Sequence, residues 1–256
     1  MAAVASDART EQPSWWGRPV AESRWMLELA RLVVDPVFRD ASALPRGDGR
    51  SVVLLPGFLA GDRTLSILSG WLRRLEYLPA VCGFVANVDC SDRALERVER
   101  RVDELHRRDG RRVAVIGHSR GGHFARAMAA RAPDRVSHAI SLGADLRGLV
   151  GVSVPTLAAV AAVRRGLELT GRMRAERCFT RECTCAFARD YGRRFPSDRV
   201  RLTSIYSKED GVVRWEGSVV PEADCIEVSG SHVGLACNRK SYRAIADALA
   251  RPELEG

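Results

Sequence analysis

From Ser51 onward, short apolar β-rich runs alternate with amphipathic stretches, and this alternation constrains the chain more than any other feature. A pattern of that kind calls for an α/β fold, a parallel sheet with helices on both faces. The expected strands are Ser51 to Leu55, Ala80 to Val88, Arg112 to Ile116, Val136 to Leu142, Val200 to Tyr206 and Asp224 to Val228. They are nearly continuous in apolar residues, as strands buried on two sides must be. Between them, Leu65, Leu68, Leu72 and Leu75 recur at helical spacing, and so do Leu95, Val98, Val102 and Leu105. A last helix is expected from about Arg239 to Ala250, with Tyr242, Ile245 and Leu249 on its apolar face.

Two regions depart from this alternation. Residues 1–49 hold no strand signal; an amphipathic helix near Glu22 to Val34 follows the pair Trp15 and Trp16 and is expected to pack on the domain. A small buried cluster is the favoured reading of the two indoles, with a membrane-surface role as the alternative. Residues 145–198, between the fourth and fifth strands, are far more than a simple crossover needs and read as a helical cap. The expected organisation is a helical extension at 1–49, an α/β core at 50–144 and 199–256, and a cap at 145–198.

With 256 residues, 46% of them hydrophobic, the chain can bury a full-sized core. Its net charge of +8 comes almost wholly from arginine, since Lys208 and Lys240 are the only lysines. Along Asp92 to Arg112 the arginines alternate with acidic residues and no aromatic side chains are interleaved. That describes a solvated helix face and not a nucleic-acid platform. Leu149 to Val163 is interrupted by Ser153, Pro155 and Thr156 and is too short to cross a bilayer, so no transmembrane helix is expected. No secretory leader is visible, which makes the cytoplasm the expected compartment. The cluster Cys178, Cys183 and Cys185 lacks paired zinc-knuckle spacing and reads as incidental thiols, with a local disulfide left open.

The strongest chemical signal is Gly117-His118-Ser119-Arg120-Gly121, which directly follows the apolar run Val113 to Ile116 and opens a helix. A serine at so sharp a strand-to-helix turn sits in a strained backbone conformation, and side chains two residues to either side would collide. Gly117 and Gly121 answer that steric demand. A serine hydroxyl needs a base to accept its proton and a carboxylate to orient the base. Ser207-Lys208-Glu209-Asp210-Gly211 follows the fifth strand, and Ser229-Gly230-Ser231-His232-Val233-Gly234 follows the sixth. Both are loops at carboxyl ends of parallel strands, where open α/β sheets place their sites.

On these residues the chain resembles the α/β-hydrolases, most closely bacterial lipases and esterases with a Gly-His-Ser-x-Gly elbow; the resemblance runs from about Ser51 to Ala250. It implies Ser119 as nucleophile, His232 as base and Asp210 as the orienting acid. It further implies an oxyanion hole made by the backbone N–H groups of Phe58, in Leu55-Pro56-Gly57-Phe58-Leu59, and of Arg120. Proline stands where that family often has histidine. Glu209 and Asp145 are the competing acids. His106, His123 and His138 read as surface or core residues, and His118 as a packing residue beside the serine. No metal site and no cofactor are expected.

The activity implied is cleavage of a carboxylic ester, from a small acyl substrate or a lipid, through an acyl-enzyme. A thioesterase or acyltransferase would use the same three residues, and a ligand-binding protein without chemistry is the alternative of another class. Leu149, Val150, Val152, Val154, Leu157 and Val160 either close over an acyl chain or bury themselves on the sheet. Arg164, Arg165, Arg172 and Arg174 leave contact with an anionic substrate or a membrane surface open. The oligomeric state is not legible.

Overall fold

A computed structural model describes residues 16–149, 151–173 and 183–254. Trp15, Val150, Arg174 and Cys178, singled out above, lie outside these residues. Six strands form one parallel sheet: β1 (Ser51–Leu55), β2 (Leu78–Val81), β3 (Val113–His118), β4 (Val136–Leu142), β5 (Arg201–Tyr206) and β6 (Asp224–Glu227), in the order β2-β1-β3-β4-β5-β6.

The apolar runs are continuous because the sheet has a core on each face. Val53, Leu55, Val113, Val115 and Ala139 point into one core. Their neighbours Val52, Leu54, Ala114, Ile116 and Ile140 point into the other, the two-residue alternation of a pleated strand with both sides covered. The first core is closed by α4 (Ser91–Asp109), α5 (Arg120–Arg131) and α7 (Ala186–Gly192). The second is closed by α1 (Trp25–Val34), α2 (Pro36–Arg39), α3 (Ser66–Arg74) and α8 (Arg239–Ala250). The edge strands β2 and β6 are only partly buried.

Residues 145–198 contain α6 (Val154–Leu169) and α7. Through Phe187 and Tyr191, α7 joins the core beneath the sheet, with Phe187 edge-on to Phe124 of α5 at 5.3 Å between ring centres. Helix α6 holds one buried residue, Leu167.

Two expectations need correction. The second strand ends at Val81 and does not reach Val88. Gly83 turns the chain at φ +77°, and the Asp62 carboxylate accepts the N–H groups of Gly83 and Phe84 at 2.7 and 3.0 Å, removing them from any ladder. Trp16 is not in a buried cluster but 67% exposed. The segment around it docks through its backbone, with the Arg18 N–H donating to the Gly211 carbonyl at 3.1 Å.

Candidate active site

The chain runs from β1 toward one edge of the sheet and from β3 toward the other, which makes the space above β1 and β3 a topological switch point. The loop after β1 and the turn after β3 meet there. Ser119 forms that turn with φ +53° and ψ −120°, outside the regions open to most L-residues. Its strain is held from both sides: Ser119 N–H donates to the Leu142 carbonyl and its own carbonyl accepts from Gly122 N–H, both at 2.8 Å. A Cβ on Gly117 would collide with the Gly121 backbone, and one on Gly121 would collide with the Leu55 carbonyl. Both positions therefore require glycine.

Asp210 and His232 form a buried pair, with Nδ1 of His232 and Oδ2 of Asp210 2.7 Å apart. The other Asp210 oxygen, Oδ1, accepts the N–H groups of Val212 and Val213 at 2.8 and 2.7 Å, which fixes the carboxylate as the start of a tight turn. Burial alone would push the His232 imidazole to lower pKa. The Asp210 charge, its hydrogen bond and the charge of Glu22 outweigh burial and hold it above the ordinary histidine value. With Nδ1–H donated to Asp210, Nε2 is the nitrogen left to accept a proton.

Ser119 and His232 line the same cavity, a groove of about 640 Å³. Gly57 comes so close that a Cβ on it would lie 3.2 Å from the Ser119 Cβ. Phe58 borders this groove and also a smaller apolar cavity of about 80 Å³, which Ser119 likewise lines. Leu149, Val152, Leu157 and Val160, for which closing over an acyl chain and burial on the sheet are the two readings, line the smaller cavity. Arg120 is the first residue of α5, where helix N–H groups have no carbonyl within the helix and point at the turn.

The competing candidates are placed elsewhere. Glu209 is ion-paired to Arg24 at 2.8 Å. Asp145 accepts the N–H groups of Arg147, Gly148 and Gly151 and organises its own loop. His106 bonds the Arg111 carbonyl on the surface, and His138 is buried within β4. His123 lines the smaller cavity, and burial holds it neutral at about 4. His118 Nε2 donates to the His232 carbonyl at 2.9 Å, with the two rings 4.9 Å apart. Burial first, and the neighbouring His232 charge second, lower its pKa to about 4, so it supports the loop as a neutral ring. Cys237 also borders the groove, but burial pushes its thiol up to about 12 and keeps it from acting as a thiolate.

The sequence reading missed three residues. Asn87 is fully buried; its Nδ2 donates to the Pro56 carbonyl at 2.8 Å, and its Oδ1 accepts from the Arg120 guanidinium at 3.0 Å. The loop carrying Phe58 is thereby tied to the residue after Ser119. Glu22 and Glu28 reach the loops of Asp210 and His232 from the amino-terminal segment. No local motif marks any of the three. Among the described residues no group of three or more His, Cys, Asp or Glu could hold a metal, and no helix is long and apolar enough to cross a membrane.

A sequence profile of the alpha/beta hydrolase fold matches residues 91–203, the span from α4 through the Ser119 turn into β5. No curated protein matches the sequence. Among solved structures, a metagenomic carboxyl esterase superimposes with a TM-score of 0.57 at 16% identity, over 90% of this chain and 91% of its own. A monoacylglycerol lipase of Paleococcus ferrophilus gives 0.53 at 15% identity, over 80% and 95%. A mature lipase of Bacillus licheniformis gives 0.53 at 13%, over 81% and 94%. At such identities the likeness is one of fold.

Proposed function

We propose that this chain, an α/β-hydrolase by fold, is a serine hydrolase that cleaves carboxylic esters. The observation that carries the reading is the buried 2.7 Å bond between Asp210 and His232 on the groove that Ser119 also lines. The esterase and lipases of similar fold are in keeping with it.

In the proposed reaction, Nε2 of His232 takes the Ser119 hydroxyl proton as Oγ bonds to the ester carbonyl carbon. The carbonyl π electrons move to oxygen, and the backbone N–H groups of Phe58 and Arg120 receive that oxyanion, each worth about 3 kcal/mol in comparable hydrolases. When the tetrahedral centre collapses, His232 returns its proton to the departing alcohol and an acyl-serine is left. Water then attacks by the same route, its proton passing through His232, and the acid leaves with Ser119 restored. Asp210 keeps the imidazole in the Nδ1–H tautomer and stabilises its cation throughout.

The walls of both cavities favour an apolar, uncharged ester. Ser119 stands where they meet, so the acyl part enters the smaller cavity under Val152, Leu157 and Val160 and the alcohol part lies in the larger groove. Residues 145–198 act as the cap in this reading.

The test is labelling by a fluorophosphonate probe, together with turnover of short and long nitrophenyl esters, acyl thioesters and amides, on wild type and Ser119→Ala. Ester cleavage and labelling that both vanish in Ser119→Ala are expected. Turnover that survives the substitution, or a wild-type serine inert to the probe, would overturn the reading.

A further inference from the structure

The amino-terminal segment crosses both loops that carry the acid and the base. From the turn Pro19–Arg24, the half-buried Glu22 carboxylate takes three backbone hydrogen bonds. Oε1 accepts from Gly211 N–H at 2.9 Å and from His232 N–H at 3.1 Å, and Oε2 accepts from Val233 N–H at 2.9 Å. One side chain therefore joins the residue after Asp210 to His232 itself. Six residues further on, buried Glu28 of α1 accepts from Ser231 N–H at 2.9 Å and from the Ser231 hydroxyl at 3.3 Å. Hydrogen bonds to a carboxylate are about twice as strong as those between neutral groups.

The loops are shaped to receive these carboxylates. A Cβ on Gly211 would stand 2.8 Å from Oε1 of Glu22, and one on Gly234 would collide with Oε2 of Glu28. At Gly230, with φ +147°, a Cβ would stand 3.2 Å from the same Glu28 oxygen. Gly211 and Gly234 thus make room for side chains about two hundred residues earlier in the chain, while a Cβ on Gly230 would come closest to Asn238 Nδ2, at 2.5 Å.

We infer that Glu22 is a positioning residue for the His232 base: its carboxylate locks the Asp210 and His232 loops into one register and places a second negative charge behind the imidazole. The inference rests on the proposed roles of Ser119, Asp210 and His232. Three titratable groups surround His232: Asp210 from the loop after β5, His118 from the end of β3 and Glu22 from the amino-terminal turn, while Ser119 lines the same groove with its hydroxyl. His118 is neutral at working pH, so the two carboxylates set the field, and the Glu22 charge acts in the same direction as that of Asp210.

The test is a nitrogen-15 NMR titration of the His232 ring with kcat and KM measured beside it, in the full-length protein and in Glu22→Gln, Glu22→Asp and Arg24→Ala. Glu22→Gln keeps the shape, removes the charge and puts an amide N–H against a backbone donor. It should lower the His232 pKa by about half a unit to one unit and kcat by roughly tenfold, leaving KM nearly unchanged. Glu22→Asp keeps the charge but shortens the reach, so the pKa stays near wild type while kcat falls. Arg24→Ala breaks only the exposed pair with Glu209 and should change neither. A folded Glu22→Gln with wild-type kcat and His232 pKa overturns the inference. So does a loss in Arg24→Ala equal to that in Glu22→Gln, which would mean that any damage to the segment suffices. If Glu22→Gln does not fold, an unchanged kcat in Glu22→Asp overturns it. The ring titration needs no turnover, so a wild type inert toward esters would remove the proposed function while the Glu22 effect could still be read.

Discussion

Gly143, the first residue beyond β4, packs directly against His232: a Cβ there would lie 3.2 Å from the His232 Nδ1 and 3.1 Å from Oδ2 of Asp210. Its φ of +61° suits glycine and strains other residues. The acid–base pair thus rests on bare backbone, whose N–H is held by the Ile205 carbonyl at 2.9 Å. Gly143→Ala should lose about 1–3 kcal/mol of stability through the strained φ. It should also reduce kcat more than tenfold by prising the pair apart. Thermal melts and esterase kinetics on one preparation separate the two effects, and a variant with full activity would mean that the pair tolerates displacement.

Asn87 makes a second prediction. It bridges the Pro56 carbonyl and the Arg120 guanidinium, and Arg120 also donates to the Asn87 and Asp89 carbonyls, both at 2.7 Å. Asn87→Ala removes the acceptor Oδ1 from a buried cation and the donor from the Pro56 carbonyl, a loss of about 1–3 kcal/mol. If the Phe58 amide serves the oxyanion, kcat should fall by at least tenfold because the loop bearing it loosens. KM for a short ester should hold, since the apolar walls are untouched. A matched rise in KM with constant kcat would contradict this account.

The histidines set opposing pH dependences. His232 has a raised folded-state pKa, so its stabilising contribution is complete below the unfolded value near 6.5 and is lost as pH rises through the higher folded value. His118, His123 and His138 are lowered to about 4, mainly by burial. Folding then excludes protons that the unfolded chain binds, and stability falls as pH drops from 6.5 toward 4, by on the order of 3 kcal/mol for each ring. Urea midpoints measured from pH 4 to 9 should therefore peak near neutrality. The proposed reaction needs neutral His232, so the acid limb of kcat/KM should lie above 6.5, on the alkaline side of the stability loss. An acid limb near 5 would show that the imidazole is not held as described.

The layout of the sheet was legible because both its faces are buried: β1 and β3 are apolar over four consecutive residues each, and β4, though it carries Ser137, His138 and Ser141, keeps apolar residues on both faces. The Ser119 turn was legible for a steric reason, since Gly117 and Gly121 lie in the same short stretch as the residue they accommodate. The end of β2 was not. Ala80 to Val88 has strand composition, yet the Asp62 carboxylate some twenty residues earlier captures the two N–H groups that would continue the strand. Glu22 and Glu28 were hidden more deeply. On an amphipathic helix a glutamate reads as solvent-facing, and only the tertiary fold brings loops from beyond residue 205 over it. Asn87 has the same character: its worth lies in Pro56 and Arg120, each about thirty residues away.

Val160 of α6 and Val152 line the smaller cavity together with Phe187 of α7 and Ser119, so in the proposed reaction the depth available to an acyl chain is set by side chains from Val152, α6 and α7. Because α7 is packed in the core and Leu167 is the one buried residue of α6, the α6 side is the wall that can be altered at least cost to folding. Val160→Phe fills space without exposing a polar group. Each methylene that no longer fits forfeits about 1 kcal/mol or more of transition-state binding, because its burial is lost and its displacement strains the reacting geometry. In a nitrophenyl ester series, kcat/KM for acetate should stay within about twofold of wild type, while octanoate should fall by tenfold or more. The opposite substitution, Val160→Ala, should move the preference toward longer chains. A series in which all acyl lengths change in proportion would place the acyl group outside this cavity. Testing alcohols of graded size in the same two variants would then show whether the larger groove and the smaller cavity exchange roles.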